Sequence, residues 1–309
     1  MTSANAGHTG KVIVTVAPTG GFLTRADHPY VPTQPEEIAA DVARCAAAGA
    51  SVAALHARRP DGQATCDAAI YRDINARVRA ACDVVINNST GGGINGDLLR
   101  VRPDGSRTID WDARMEGVDG GADTCTLDAV TAYVSGPDGR EVLMDTPMER
   151  AIELAAAMFE RGIKPEWEAF GPSHLAREVT RLTALGFDAE PYCVNLVLGL
   201  DTTFQNAVPY TPADLQHMVD ALPDGSMFTV TVNGPQQFRG LAHALALGGH
   251  IRVGIEDNPC LVPGEPAENV RLVERAVTLV QSLGLEPATP DEARRILGLP
   301  AREDAAHAI

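Results

Sequence analysis

Gly248-Gly-His-Ile-Arg-Val-Gly-Ile-Glu-Asp-Asn258 reads as a short buried strand, His250 to Ile255, that stops at two adjacent carboxylates, Glu256 and Asp257. Residues two apart along a strand share a face. Arg252, Gly254 and Glu256 therefore point one way, and Val253 and Ile255 point the other way, into packing. An arginine and two acids where an apolar strand ends are costly unless paired, metal-bound or used in chemistry. The plain alternative is an Arg–Glu pair that only holds a barrel together. A second strand end, Ser51-Val-Ala-Ala-Leu-His-Ala-Arg58, adds a histidine and another arginine.

Working outward, β-branched and apolar runs recur at Val12–Ala17, Val52–Ala57, Val84–Asn88, Thr124–Asp128, Glu166–Phe170, Cys193–Leu198, Phe228–Asn233 and Ile251–Ile255. Apolar residues at helical spacing lie between them, such as Ile38, Val42 and Cys45, or Leu272, Val273, Ala276, Leu279, Val280 and Leu283. Thr146-Pro-Met-Glu149, Thr211-Pro-Ala-Asp214 and Thr289-Pro-Asp-Glu292 each predict a helix start, with an N-cap threonine, a proline and a following acid. Gln34-Pro35-Glu36-Glu37 is a weaker version. Eight strand–helix units imply a parallel sheet that closes most simply as a (β/α)8 TIM barrel. A doubly wound open sheet is the alternative, but the usual glycine fingerprint after the first strand is missing. The expected organisation is a disordered tail over 1–10, one barrel domain over 11–301 and a frayed end over 302–309. An extra C-terminal helix around Pro290–Leu297 lies outside the eight units and is a candidate to pack on a neighbouring subunit.

The chain has 309 residues, 45% of them hydrophobic, enough for one large core. A net charge of −16 argues against nucleic acid or an anionic membrane as partner. Six scattered cysteines without CxxC spacing fit reduced thiols and not a disulfide framework or zinc knuckle. No cationic start followed by an apolar run appears, and no apolar stretch reaches ~18 residues, so a soluble cytoplasmic protein is expected. Only two lysines occur, Lys11 and Lys164, each just before or at the start of a predicted strand.

Catalytic groups of such barrels gather at the carboxyl ends of the strands, and here those ends are polar. The second run ends in His56 and Arg58; the third ends in Asn87, Asn88, Ser89 and Thr90, followed by Gly91, Gly92 and Gly93. The fourth carries Thr124, Thr126 and Asp128 on one face, and the fifth carries Glu166 and Glu168. The seventh ends in Asn233 and the eighth in Glu256 and Asp257. His56 alone suits a structural histidine, but with Glu256 across the same mouth it equally suits a shared divalent metal. The glycine turn after Ser89 is either a tight turn or a cradle of amides for a carboxylate or oxyanion. Glu166 and Glu168 are either functional or stitches to arginines inside the barrel. Asp257, held by Arg252, is the best candidate for a general base. No G-x-S-x-G elbow is present, and a Schiff-base aldolase needs a lysine at a strand's carboxyl end, where neither lysine falls.

With these residues assembled, the chain resembles the β-keto acid cleavage enzyme family, which includes 3-keto-5-aminohexanoate cleavage enzymes. The likeness runs from Val12 to Pro300 and is carried by TRADHPYVPTQPEEIAADVARCAAAGASVAALHARRPDG (24–62), INNSTGGG (86–93), KPEWEAFGPSHL (164–175), VLGL (197–200), ALGGHIRVGIEDN (246–258) and ATPDEARRILGLP (288–300). The resemblance implies a zinc-dependent barrel that is a homo-oligomer. It implies exchange of a β-keto acid with acetyl-CoA, giving acetoacetate and the CoA thioester of the remaining acid. By position it makes His56 and Glu256 ligands of zinc or another divalent metal, and Asp257 with Arg252 the proton-abstracting pair. Ser89, Gly91 and Gly92 would hold the substrate carboxylate, with Asn88 and Thr126 beside it.

Two departures stand out. The family's strand-two pattern is His-x-His-x-Arg, whereas this chain reads Ala54-Leu55-His56-Ala57-Arg58, and catalytic zinc usually has three protein ligands. A replacement ligand (Glu168 or Asp128), an ion completed by substrate and water, or no metal at all are the open outcomes. Asp128-Ala-Val-Thr-Ala-Tyr133 replaces the family's Gly-Ser/Thr-x-Asn-Phe. The uncharged turn Gly20-Gly21-Phe22 favours a neutral or apolar substrate tail over a cationic one. A lyase or hydrolase that does not use acetyl-CoA, and a binding paralogue without catalysis, are the alternative functions.

Overall fold

Each of the eight predicted runs forms a strand: β1 Val14–Val16, β2 Val52–Leu55, β3 Val85–Asn88, β4 Thr124–Leu127, β5 Lys164–Ala169, β6 Tyr192–Leu198, β7 Ser226–Val232 and β8 His250–Val253. In this computed structural model, which describes residues 10–136 and 138–301, they pair in parallel with their chain neighbours. The sheet closes where Ile251 of β8 lies beside Val14 of β1. Nearly all of the segments expected to be a disordered tail and a frayed end fall outside the described residues. Among the described residues no helix is long and apolar enough to cross a membrane.

Strand alternation sorts the two faces. Leu55, Cys125, Trp167 and Leu196 face outward into the main apolar core beneath the helices. The inward set changes character along the barrel axis. Its amino-end layer is apolar: Ile13, Val52, Val85 and Cys193 pack against Ala288, Ala293 and Leu297. Higher up, Asn87 donates to Glu166 (2.6 Å), Asn195 donates to Glu168 (3.0 Å), and Thr231 donates to Asn195 (2.9 Å). Buried polar groups are tolerable when satisfied in this way.

The helices Pro35–Ala47, Ala68–Ala81, Met148–Glu160, Pro212–Asp220, Gln237–Ala246 and Asn269–Ser282 surround the barrel. Thr211 accepts from Asp214 N and Thr289 from Glu292 N, as the cap motifs predict. Thr146 does not cap its helix. Its hydroxyl is taken by Arg114 (2.6 Å), and Pro147 occupies the cap position. The helix Pro290–Leu297 turns its apolar face onto the amino end of its own barrel and closes it. Arg294 fastens it there by donating to Asp83 (2.6 Å).

One architectural feature departs from regular strand–helix alternation. The chain after β3 and after β4 contributes to a separate four-stranded sheet built from Leu99–Val101, Arg107–Ile109, Thr131–Ser135 and Glu141–Asp145. These strands are short, and the pair Thr131–Ser135 and Glu141–Asp145 buries only alternate residues, so the sheet lacks the long apolar runs by which the barrel strands are recognised.

β8 ends at Val253, two residues before the predicted end, because the chain turns at once. Asp257 N and Asn258 N both donate to Gly254 O (3.1 and 3.0 Å), and Glu256 N reaches Ala17 O (3.3 Å). Gly254 lies so close to β1 that a Cβ would meet Ala17 O at 2.0 Å. Gly254→Ala is therefore expected to lose about 3 kcal/mol of stability or more, measured by urea denaturation. An unchanged midpoint would show that the two backbones separate easily.

Candidate active site at the carboxyl end of the barrel

Polar strand ends and loops enclose a cavity of about 200 Å³, lined at one end by His56, Ser89, Thr126, Arg252, Glu256 and Asp257. Arg252 lines this end, bonded through two of its three nitrogens. Its Nε and Nη2 donate to the two oxygens of Asp257 (3.1 and 2.8 Å), and Nη2 also donates to Glu256 Oε1 (2.6 Å). Nη1 lies 3.8 Å from Glu168. The arginine meets Glu256 through the turn after β8, not through the continued strand that the sequence suggests.

One guanidinium among three buried carboxyls cannot neutralise all of them. Burial opposes charge on Glu256, yet the Arg252 guanidinium outweighs it, and this carboxyl is held below the usual range. Burial and the neighbouring Glu256 charge raise Asp257, with Arg252 offsetting only part of the effect. Burial raises Glu168 to about 8 despite Arg252, so it keeps its proton at neutral pH. The acids thus separate into an ionised one, a protonated one and one poised between them. That last property suits a base that takes a proton and returns it.

His56 Nδ1 donates to Gly92 O (3.1 Å), which leaves the lone pair on Nε2 facing Glu256 Oε1 at 3.3 Å. Two lone-pair atoms in that position call for a proton or a cation between them. Glu256 Oε2 is buried and has no partner. His56 and Glu256 thus fit as two donors to one ion, but among the described residues no group of three His, Cys, Asp or Glu forms. Neither expected replacement joins them: Asp128 is taken by buried Arg114, and Glu168 accepts from Asn195. Ala54 lines the cavity where another donor could stand.

The glycine turn is partly self-satisfied. Gly92 N donates to Ser89 Oγ (3.2 Å) and Gly93 N to Gly91 O (2.6 Å). Ser89 Oγ accepts there, so its own O–H is available to a ligand, together with the Gly91 amide. Thr126 behaves alike, accepting from Thr90 N (3.1 Å) with its hydroxyl hydrogen still to place. Gly92 itself contributes its carbonyl to His56 and does not line the cavity. Asn88 is misplaced by the sequence reading: it faces outward beside Gly120, and Asn87 is the residue that points inward. Lys11 and Lys164 pair with Glu286 and Asp188, away from the cavity.

Three residues support the site, and the parts played by Asn269 and Arg114 escape sequence reasoning. Arg58 donates to the carbonyls of Gly20, Gly62 and Leu23 (2.8, 2.7 and 3.1 Å), pinning the loop that backs Glu256. Asn269 accepts from Ile255 N (2.8 Å) and donates to Asp41 and Pro18 O, which fixes the turn carrying the acid pair. Arg114 neutralises Asp128. An asparagine at a helix start and an arginine in a connecting segment carry no local pattern that announces these long-range contacts.

The sequence model of the beta-keto acid cleavage enzyme family matches residues 11–299. The 3-keto-5-aminohexanoate cleavage enzyme of Fusobacterium nucleatum is 36% identical over 293 residues, covering 94% of this chain and 98% of that protein. The 3-dehydrocarnitine:acetyl-CoA trimethylamine transferase of Rhizobium meliloti is 33% identical over 305 residues, with 94% and 98% covered. Among solved structures, the ternary complex of ObcA with a C4-CoA adduct and oxalate superposes with a TM-score of 0.68 at 20% identity, covering 88% of this chain and 68% of that one. At that identity it shows a shared fold. The chain belongs to the β-keto acid cleavage enzyme family.

Two outcomes follow from the charge arrangement. Arg252→Met removes the counter-ion of a buried acid pair and should cost about 3–5 kcal/mol of stability, read from chemical denaturation; a loss near zero would mean water already solvates the acids. Glu168 keeps a proton in the fold that the unfolded chain releases above its ordinary value of 4.5. Parent stability should therefore fall as pH rises from there to about 8, while Glu168→Gln is spared that fall. Melting both proteins across this range tests it, and parallel curves would place Glu168 in solvent contact.

Proposed function

We propose that this enzyme exchanges a β-keto acid with acetyl-CoA, giving acetoacetate and the CoA thioester of the remaining acyl group. The observation that carries the proposal is the Arg252–Asp257 pair, bidentate and buried, facing the cavity beside His56 and Glu256. In this reading the substrate carboxylate docks on the Ser89 hydroxyl, the Gly91 amide and the Thr126 hydroxyl, beside the turn that Gly92 completes. Asp257 removes a proton from the carbon between carboxylate and ketone, and Arg252 orients it and holds the charge balance.

The resulting enolate carbon attacks the acetyl thioester and expels the CoA thiolate. The thiolate adds to the original ketone, and the bond between that carbon and the former enolate carbon breaks. The new acyl-CoA departs, and Asp257 returns its proton to acetoacetate. His56 and Glu256 are proposed contacts for a divalent metal, zinc or another, with Ala54 leaving further coordination to substrate oxygens and water. When bound, such an ion supplies positive charge opposite the keto acid's oxygens. A homo-oligomer in a reducing cytoplasm belongs to the same proposal and is in keeping with six free cysteines. Sizing by light scattering checks the assembly.

Asp257→Asn should lower acetoacetate formation by at least ~10²-fold while leaving the circular dichroism spectrum unchanged. Undiminished turnover in that variant would remove Asp257 from the reaction. Elemental mass spectrometry of protein purified without chelator or affinity tag should find a divalent metal, and His56→Ala should lose it. Metal retained by that variant would exclude His56 as a ligand.

A further inference from the structure

The cavity has two unlike ends. Every ionisable group that lines it (His56, Asp128, Glu168, Arg252, Glu256 and Asp257) already has a protein partner at the reacting end. The opposite wall is mostly apolar, made by Ile94, Val134, Met144, Phe170, Leu200 and Phe204, with Thr203 among them. We propose that this wall is the pocket for the acyl tail, so that the substrate is a β-keto acid with an uncharged alkyl or aryl tail. The inference rests on the transfer reaction above and adds the identity of the group transferred.

The wall is constructed, not incidental. Phe170 and Phe204 stack with centroids 4.3 Å apart and planes 11° apart. Val134 bridges to Phe204, and Ser135 N donates to Thr203 O (2.8 Å) while Gln205 N donates to Tyr133 O (2.9 Å). These bonds tie the hairpin Thr131–Ser135/Glu141–Asp145 to the loop after β6. Alternation along that hairpin turns Ala132, Val134, Val142 and Met144 to one buried face, so its core face forms the roof of the pocket.

A charged tail would find no counter-ion here. Asp128, the cavity-lining acid nearest in sequence to the hairpin, is paired with Arg114, and Gly20 and Gly21 in the loop after β1 have no room for a side chain. A Cβ at Gly21 would meet Gly92 O at 2.4 Å, and one at Gly20 would meet Glu256 Cγ at 2.7 Å. An ammonium or carboxylate tail would be buried unpaired, which is strongly unfavourable. Each buried methylene instead favours binding, by about fourfold in affinity.

The test uses the full-length enzyme and two readouts. First, kcat/KM for acetoacetate formation is measured with 3-oxopentanoate, 3-oxohexanoate and 3-oxooctanoate, and with 5-amino-3-oxohexanoate and 3-oxoadipate. The expected result is a rise of about fourfold per added methylene until the pocket is full, with both charged acids at least about 100-fold below the best alkyl acid. A charged acid as best substrate would overturn the tail assignment and leave the transfer reaction standing. Second, calorimetry compares hexanoate with 6-aminohexanoate and adipate, reading the pocket without turnover. Tighter binding of hexanoate, lost in Met144→Glu and shifted toward longer acids in Met144→Ala, supports the pocket even if no acid yields acetoacetate, and in that case it is the transfer reading that fails. Equal binding of the three acids overturns the pocket.

Discussion

The ion cluster around Arg252 sets the terms for everything above it in the barrel. A single guanidinium, buried and bonded to Asp257 and Glu256 with Glu168 close by, must serve more negative charge than it carries. The resolution is a division of protonation states, with Glu256 ionised, Glu168 protonated and Asp257 raised between them. Much of the nearby architecture keeps this division in place. Asn195, itself held by Thr231, donates to Glu168, Asn269 holds the turn that bears the acids, and Arg58 fixes the loop that presses Gly20 against Glu256.

The barrel was legible because its strands are buried on both faces, which produces dense apolar runs such as Val52–Leu55 and Cys193–Leu198. The acid pair was legible for the opposite reason: charges at the end of such a run have few places to go. What the sequence hid was of two kinds. The four-stranded insertion has short, partly buried strands, so its pattern is weak. Contacts such as Arg114 with Asp128 or Asn269 with Asp41 join residues far apart in the chain, and nothing local marks either partner.

Two errors share one physical origin. Asn88 and Asn87 are indistinguishable as neighbours in a list, yet strand alternation sends one into the barrel and the other under the helices. Thr146 carries a good capping signature, but Arg114 competes for its hydroxyl and wins. In both cases a local pattern was sound, and the tertiary environment chose among the outcomes it allowed. The Ala54 departure is different in kind: it was visible at once, and its meaning depends on which donors surround it, where His56 and Glu256 converge and no third joins them among the described residues.

The helix Pro290–Leu297 closes the amino end of the barrel against Ile13, Val52, Val85 and Cys193. The barrel is therefore a cup and not a tube, with one rim for all traffic. Two reactants and two products must share that rim, so the reactant lying nearer the bottom enters before its partner, and the product lying nearer the bottom leaves last. Order of addition becomes a property of the fold, set by a helix at the far end of the molecule from the reacting groups.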